Sequence, residues 1–174
     1  MATTFTLIST ITVGSGGAAS IDFTAIPATF TDICLKISAR TNYTGSQYGY
    51  IDLAFNTLTT NQSYRRLLGY STAANSSTDT ANSAVVNSDA ATASTFGNWE
   101  MMIPNYAGSN YKSVSIDAVT ENNAGTSEAA FCQLVAGLWS ATAAISRITI
   151  SPRSGYGTLI NQYSSASLYG ILKA

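Results

Sequence analysis

The 174-residue sequence contains no histidine, which excludes imidazole acid–base chemistry and imidazole metal ligands. Charge is scarce. Asp, Glu, Lys and Arg make up 10% of the chain, against roughly 25% in an ordinary soluble domain. Eight basic and nine acidic residues leave a formal net charge of −1 and form no basic run. Nothing therefore points to nucleic acid or another polyanion as a partner. No apolar run approaches the roughly 18 residues that a membrane span needs, so no membrane partner is expected. The first basic residue is Lys36; a secretory signal needs a positive start, so none is expected. The two cysteines, Cys34 and Cys132, lie far apart, without metal or redox spacing. Each sits in a strand-like apolar run and is expected as a buried free thiol, with a disulfide as the alternative. The three prolines, Pro27, Pro104 and Pro152, all fall at the ends of such runs, where a missing N–H harms no ladder.

What is abundant is small hydroxyl side chains: 23 serines and 23 threonines. The surface must be built from Ser, Thr, Asn, Gly and Ala, which is unusual for a free enzyme kept soluble by charge. Hydrophobic residues at 45% fit a folded chain, and the length fits one domain spanning 1–174. Apolar periodicity is almost entirely two. Ile33, Leu35 and Ile37 alternate with Cys34, Lys36 and Ser38; Val114, Ile116 and Ala118 alternate with Ser113, Ser115 and Asp117. Such alternation buries one face of a strand and wets the other. It predicts strands at Phe5–Val13, Ile21–Phe23, Asp32–Arg40, Gly49–Phe55, Ser63–Tyr70, Asn98–Ile103, Lys112–Thr120, Ala129–Trp139, Ile145–Ser151 and Ser167–Leu172. About ten short strands separated by turn residues imply an all-β protein, an antiparallel β-sandwich of jelly-roll type.

Two segments depart from this pattern. Ala129–Trp139 is apolar on both faces, with Cys132, Leu134 and Ala136 on one and Phe131, Val135 and Trp139 on the other. It is either a central strand covered on both sides or a strand whose outer face meets another subunit. The segment 71–97 is built of Ser, Thr, Ala, Asn and Asp, with Val85, Val86 and Phe96 as its bulky apolar residues. It reads as a long loop, disordered or ordered against a neighbour.

Reactive constellations are thin. Without His, and without a Gly-x-Ser-x-Gly elbow, no serine is activated in a recognisable way. Asp117 and Glu121 stand roughly 13 Å apart along an extended strand, too far for a glycosidase pair. No catalytic residue, cofactor or metal is nominated and the chain reads as a non-enzyme. Asn75, Asp79, Asn82, Asn87 and Asp89 offer oxygen ligands that calcium would accept, without the spacing of a dedicated loop. Arg65 and Arg66 are adjacent in a strand-like run, so one points inward or against a partner; Asp52 and Glu100 are candidate partners, and snorkelling at a strand end is the alternative. Tyr43, Tyr48, Tyr50, Tyr106, Tyr111 and Tyr156 sit near turns and suit subunit contacts, ordinary packing or a sugar ring.

A resemblance adds to this reading. It rests on Ala93–Glu100 (ASTFGNWE), Ile103-Pro104-Asn105-Tyr106, Lys112–Asp117, Glu121-Asn122-Asn123 and Gly137–Ile145. Ser20–Phe23, Ile26–Phe30 and Ser167–Ile171 extend it towards the two ends. This pattern resembles small virion proteins of tailed phages that infect cyanobacteria and other aquatic bacteria. Its motifs are packing and turn residues, so no functional residue is carried over. The resemblance implies a virion component made in the host cytoplasm, where unpaired cysteines are at home. The expected role is a capsid decoration, or cement, protein at the capsid surface: a homo-oligomer, with a trimer favoured, that binds the major capsid protein. Ala2–Thr12 or the segment 71–97 would be the clamp. The alternative is a tail-fibre or receptor-binding module that reads host surface carbohydrate. Expected assembly contacts are Phe5, Leu7, Val85, Val86, Phe96, Trp99, Phe131, Val135 and Trp139.

Overall fold

The computed structural model describes residues 4–79 and 83–172. Ala2 and Asn82, named above as part of a clamp and of a calcium set, lie outside the described residues. Twelve strands and no helix are found among the described residues: β1 (Phe5–Thr12), β2 (Ile21–Phe23), β3 (Asp32–Thr41), β4 (Tyr48–Phe55), β5 (Gln62–Tyr70), β6 (Ala73–Asp79), β7 (Ser83–Ser88), β8 (Gly97–Pro104), β9 (Lys112–Glu121), β10 (Ala130–Trp139), β11 (Ile148–Pro152) and β12 (Ser165–Ile171). All ten expected strands are present, with ends shifted by a few residues. The protein is all-β and mostly antiparallel.

Pairing runs β1-β12-β3-β8-β9-β10-β5-β6 in one large sheet and β2-β11-β4-β7 in a smaller one. The two are joined only where β3 and β7 run parallel, Arg40 opposite Asn87 and Thr41 opposite Ser88. Eight strands against four is not the pair of four-stranded sheets that defines a jelly roll, so that finer expectation gains no support from the strand order. The inward rows meet in one core: Ile33, Leu35, Ile37, Trp99, Met101, Val114 and Ile116 from the large sheet, and Ile21, Phe23, Ile51, Leu53, Phe55, Ile148 and Ile150 from the small one. These β-branched and aromatic side chains alternate with Ser, Thr and charged residues, which is why they pair as strands and bury one face.

The segment 71–97 is not a loop. It holds β6, a polar edge strand paired with β5, and β7, every residue of which is buried. β7 was illegible because both its faces are covered, so period-two alternation never develops. Ala84 and Val86 enter the main core, whereas Val85 joins a second cluster with Tyr50, Leu68 and Phe131. One edge of β7 pairs with β4. The other meets β3 only at Asn87 and Ser88, and over Ser83–Val85 it is closed by side chains from the large sheet. Val85 N–H donates to Gln133 Oε1 at 3.1 Å and Gln133 Nε2 donates to Ser83 O at 3.3 Å. Trp99 Nε1 donates to Val85 O at 3.1 Å. The Gln133 amide thus stands in for a peptide group of a missing neighbour. The approach is close: a Cβ on Gly97 would lie 2.7 Å from Val86 Cα.

The residues after β7 are ordered against the chain itself rather than against a neighbour. Buried Arg40 donates from Nε to Asp89 Oδ1 (3.1 Å), from Nη1 to the carbonyls of Thr92 (2.9 Å) and Thr95 (3.0 Å), and from Nη2 to that of Ala91 (3.0 Å). One guanidinium so satisfies carbonyls that an apolar-poor segment would otherwise leave to water. Lys112 does the same at the other end, its ammonium donating to the carbonyls of Gly108 (2.6 Å), Thr142 (3.1 Å) and Ala143 (2.7 Å).

Replacing Gln133 with leucine keeps the volume but strands the Val85 N–H and Ser83 carbonyl in the core. Each unpaired buried group costs about 1–3 kcal/mol. The melting temperature of Gln133→Leu is expected to fall by roughly 5–15 °C for a domain of this size. A melting curve that overlays the wild type would show that β7 does not need this cap.

Candidate assembly face

The outer face of the large sheet follows from strand register, because residues directly opposite one another share a face. One row reads Leu7, Tyr169, Cys34, Met102, Ser115, Ala136, Arg65 and Thr78 across eight strands. The next reads Lys36, Glu100, Asp117, Leu134, Leu67 and Ser76. On a solvated face these positions should be polar. Instead Leu134 is 57% exposed and Leu67 55%, and in the following row Val119, opposite Cys132, is 42% exposed. Leu134 and Leu67 are direct cross-strand partners. The apolar surface is therefore contiguous rather than scattered, the condition under which exposure points to an interaction.

The face is also concave. Ser115 and Ala136 are small and sit between Met102 on one side and Leu67 and Leu134 on the other. They form the floor of a groove of about 630 Å³. Charged side chains line it beside the apolar ones. Glu100, in an exposed ion pair with Lys36 at 2.8 Å, and Asp117 lie on the β8–β9 side, and Arg65 lies on β5. Phe5 and Leu7 extend the same face at the β1 edge, 49% and 54% exposed, with the Phe5 ring against Tyr169.

Of the nine residues expected as assembly contacts, Phe5 and Leu7 are thus exposed on this face. Phe96 is half-buried beside the segment that Arg40 holds. The other six, Val85, Val86, Trp99, Phe131, Val135 and Trp139, are buried in the interior of this chain. They offer no surface on which a protein partner could dock while the fold is intact, because large apolar side chains went to the space between the sheets. The residues that the sequence reading did not nominate are Leu67, Met102 and Leu134. The signal available was the apolar outer row of β10, Cys132, Leu134 and Ala136. Of its two readings, the covered central strand fails on the described residues, since this row is exposed.

Other expectations resolve as follows. Arg66 turns inward and lies half-buried, donating to Tyr50 Oη at 2.9 Å and Ser77 Oγ at 2.7 Å, while Arg65 points outward. Neither takes Asp52 or Glu100. Asp52 is held by Arg153 at 2.9 Å, and Arg153 also holds Asp79 at 2.9 Å. Of the oxygen-bearing residues considered for calcium, Asp89 binds Arg40, Asn75 lies on β6, and Asn87 is buried against Thr95. Among the described residues no three acidic or cysteine side chains gather as metal ligands do. Tyr106 is packed in the core and Tyr111 is exposed, whereas Tyr43, Tyr48, Tyr50 and Tyr156 cluster together.

Both cysteines are free, but only Cys34 is buried; Cys132 is exposed on the outer face because it falls out of phase with Phe131. Burial pushes the Cys34 thiol up to about 11, with the nearby Glu100 carboxylate adding to the rise. No protein-family model matches the chain, and no curated protein matches it.

A thiolate-specific reagent at neutral pH is expected to modify Cys132 alone in the native protein and both cysteines after denaturation. Two fast-reacting native thiols, counted by mass spectrometry, would contradict this placement of Cys34.

Proposed function

We propose that this chain is a structural component of a phage virion, a capsid decoration protein that docks on the assembled head through the outer face of its large sheet. The observation that carries the reading is the exposed cross-strand pair Leu67 and Leu134, which lines the groove together with half-buried Met102. On a chain this poor in charge, it favours association over free diffusion. The phage assignment itself rests on the sequence resemblance. The partner proposed is the major capsid protein, with the decorating unit a homo-oligomer, a trimer by preference. Phe5 and Leu7 on β1 supply the remaining part of the expected N-terminal clamp.

The mechanism is mass action. A subunit that binds the assembled shell and not its dissociated parts stabilises the shell in proportion to the occupancy of its sites. Burying Leu67 and Leu134 removes apolar surface from water, and the neighbouring charges Arg65, Glu100 and Asp117 set orientation more than strength. No proton transfer or bond chemistry is asked of the protein.

The test is co-sedimentation of the purified chain with particles that lack it. The wild type is expected to pellet with heads and raise their resistance to heat and low salt. Leu134→Arg places a charge in the apolar patch without touching the core and should reduce binding at least tenfold. Undiminished binding of Leu134→Arg, or wild-type label on tails rather than heads by immunogold, would overturn the proposal.

A further inference from the structure

A second cavity, of about 360 Å³, opens on the opposite face of β5, between the β5–β6 hairpin and the start of β10. Arg66, Leu68 and Tyr70 point towards it because they alternate with Arg65 and Leu67, which belong to the outer face. Four rings line it: Tyr48 and Tyr50 from β4, Tyr70 from β5 and Phe131 from β10. The rings hold one another in place. Tyr70 stacks on Phe131 with centroids 5.5 Å apart, Tyr48 sits 4.8 Å from Phe131, and Tyr50 meets Tyr48 edge-on at 5.6 Å. The wall is therefore fixed in advance, and a ligand need not order it.

Polar groups converge on the same space. Arg66 is anchored through Nε and Nη1 as described, while its Nη2 makes no hydrogen bond among the described residues. Glu128 accepts from Ser46 Oγ at 2.5 Å and from the Gln47 N–H at 3.3 Å, both through Oε2, which leaves Oε1 without a partner among the described residues. Asn75 donates to Tyr70 Oη at 3.3 Å and keeps its carbonyl oxygen in hand. The cavity thus offers an oriented donor, a carboxylate acceptor and an amide acceptor beside aromatic faces.

The mixture restricts what can bind. A cation would meet Arg66, whose guanidinium carbon already lies 5.3 Å from the Tyr50 centroid, with Arg153 at 5.6 Å from the same ring. An anion would meet Glu128. A wholly apolar ligand would strip water from both charges and return no hydrogen bond. A neutral ring with an apolar C–H face and several hydroxyls satisfies all the groups at once. Its face packs on tyrosine, and its hydroxyls donate to Glu128 and Asn75 and accept from Arg66. The volume lies near the lower end of the roughly 300–1,000 Å³ of small-molecule sites, which suits one ring.

We propose that this cavity binds a single neutral pyranose ring. The inference goes beyond the assembly role and does not rest on it: Arg66 borders both cavities, but the aromatic wall shares no residue with the groove around Leu67 and Leu134.

Saturation-transfer NMR on the full chain with the methyl glycosides of glucose, galactose, mannose and N-acetylglucosamine tests it. At least one is expected to show transfer, strongest at its ring C–H protons. Asn75→Ala, at an exposed position on β6, should weaken that binding about three- to tenfold by removing one hydrogen bond. Tyr70→Ala should weaken it further. Leu134→Arg should leave it unchanged, so that loss of head docking and loss of sugar binding are read separately. No transfer to any of the four glycosides, or transfer that Asn75→Ala and Tyr70→Ala both leave intact, would overturn the proposal.

Discussion

The Gln133 side chain, hydrogen-bonded along the stretch of β7 that β3 leaves unpaired, organises most of what surrounds it. A strand edge inside a protein is a row of unmet donors and acceptors, and burying one without partners would cost several kcal/mol. With Gln133 and Trp99 closing that edge, the small sheet can end over the large one and both faces of β7 can be filled. The interior then divides into a main core and a second cluster about Val85, Tyr50 and Phe131. The same contact orients β10. With Phe131, Gln133 and Val135 pointing inward, Cys132, Leu134 and Ala136 must point out. The apolar outer face and the aromatic cavity both follow from that orientation.

Scarcity of charge acts in the same direction. Several of the few charged groups work internally. Arg40 orders the segment after β7, Lys112 gathers loop carbonyls, Arg153 ties Asp52 to Asp79, and Arg147, just before β11, pairs with Asp22 on β2 at 2.6 Å. Little remains to wet the large sheet, whose outer rows carry Lys36, Glu100, Asp117 and Arg65 among Leu, Met, Val, Ala and Ser. A surface of this kind keeps a monomer in solution poorly and makes a good contact.

The strands were legible where one face is buried and the other wet. β3, β9 and β12 could be read directly from Ile33 to Ala39, Val114 to Ala118 and Leu168. β7 was not legible, because Ser83, Ala84, Asn87 and Ser88 are small or polar residues whose burial depends on Gln133, Trp99 and Arg40, each distant in sequence. The contact residues were only half legible for a related reason. Bulk marks a residue as apolar without saying which side of the sheet it takes, and in β10 both phases are apolar. Phe131, Val135 and Trp139 went to the interior, where aromatic area counts most, and Leu134 was left outside. The aromatic cavity joins residues from β4, β5, β6 and the approach to β10, a juxtaposition set by sheet order rather than by any local motif.

The central claim is that the outer face of the large sheet is a contact surface. A cryo-EM reconstruction of purified particles carrying this chain tests it most directly. The account predicts density in which Leu67, Met102 and Leu134 are covered by capsid subunits or by a second copy of the chain. A particle in which those side chains face solvent, with the chain held by another surface, would contradict it.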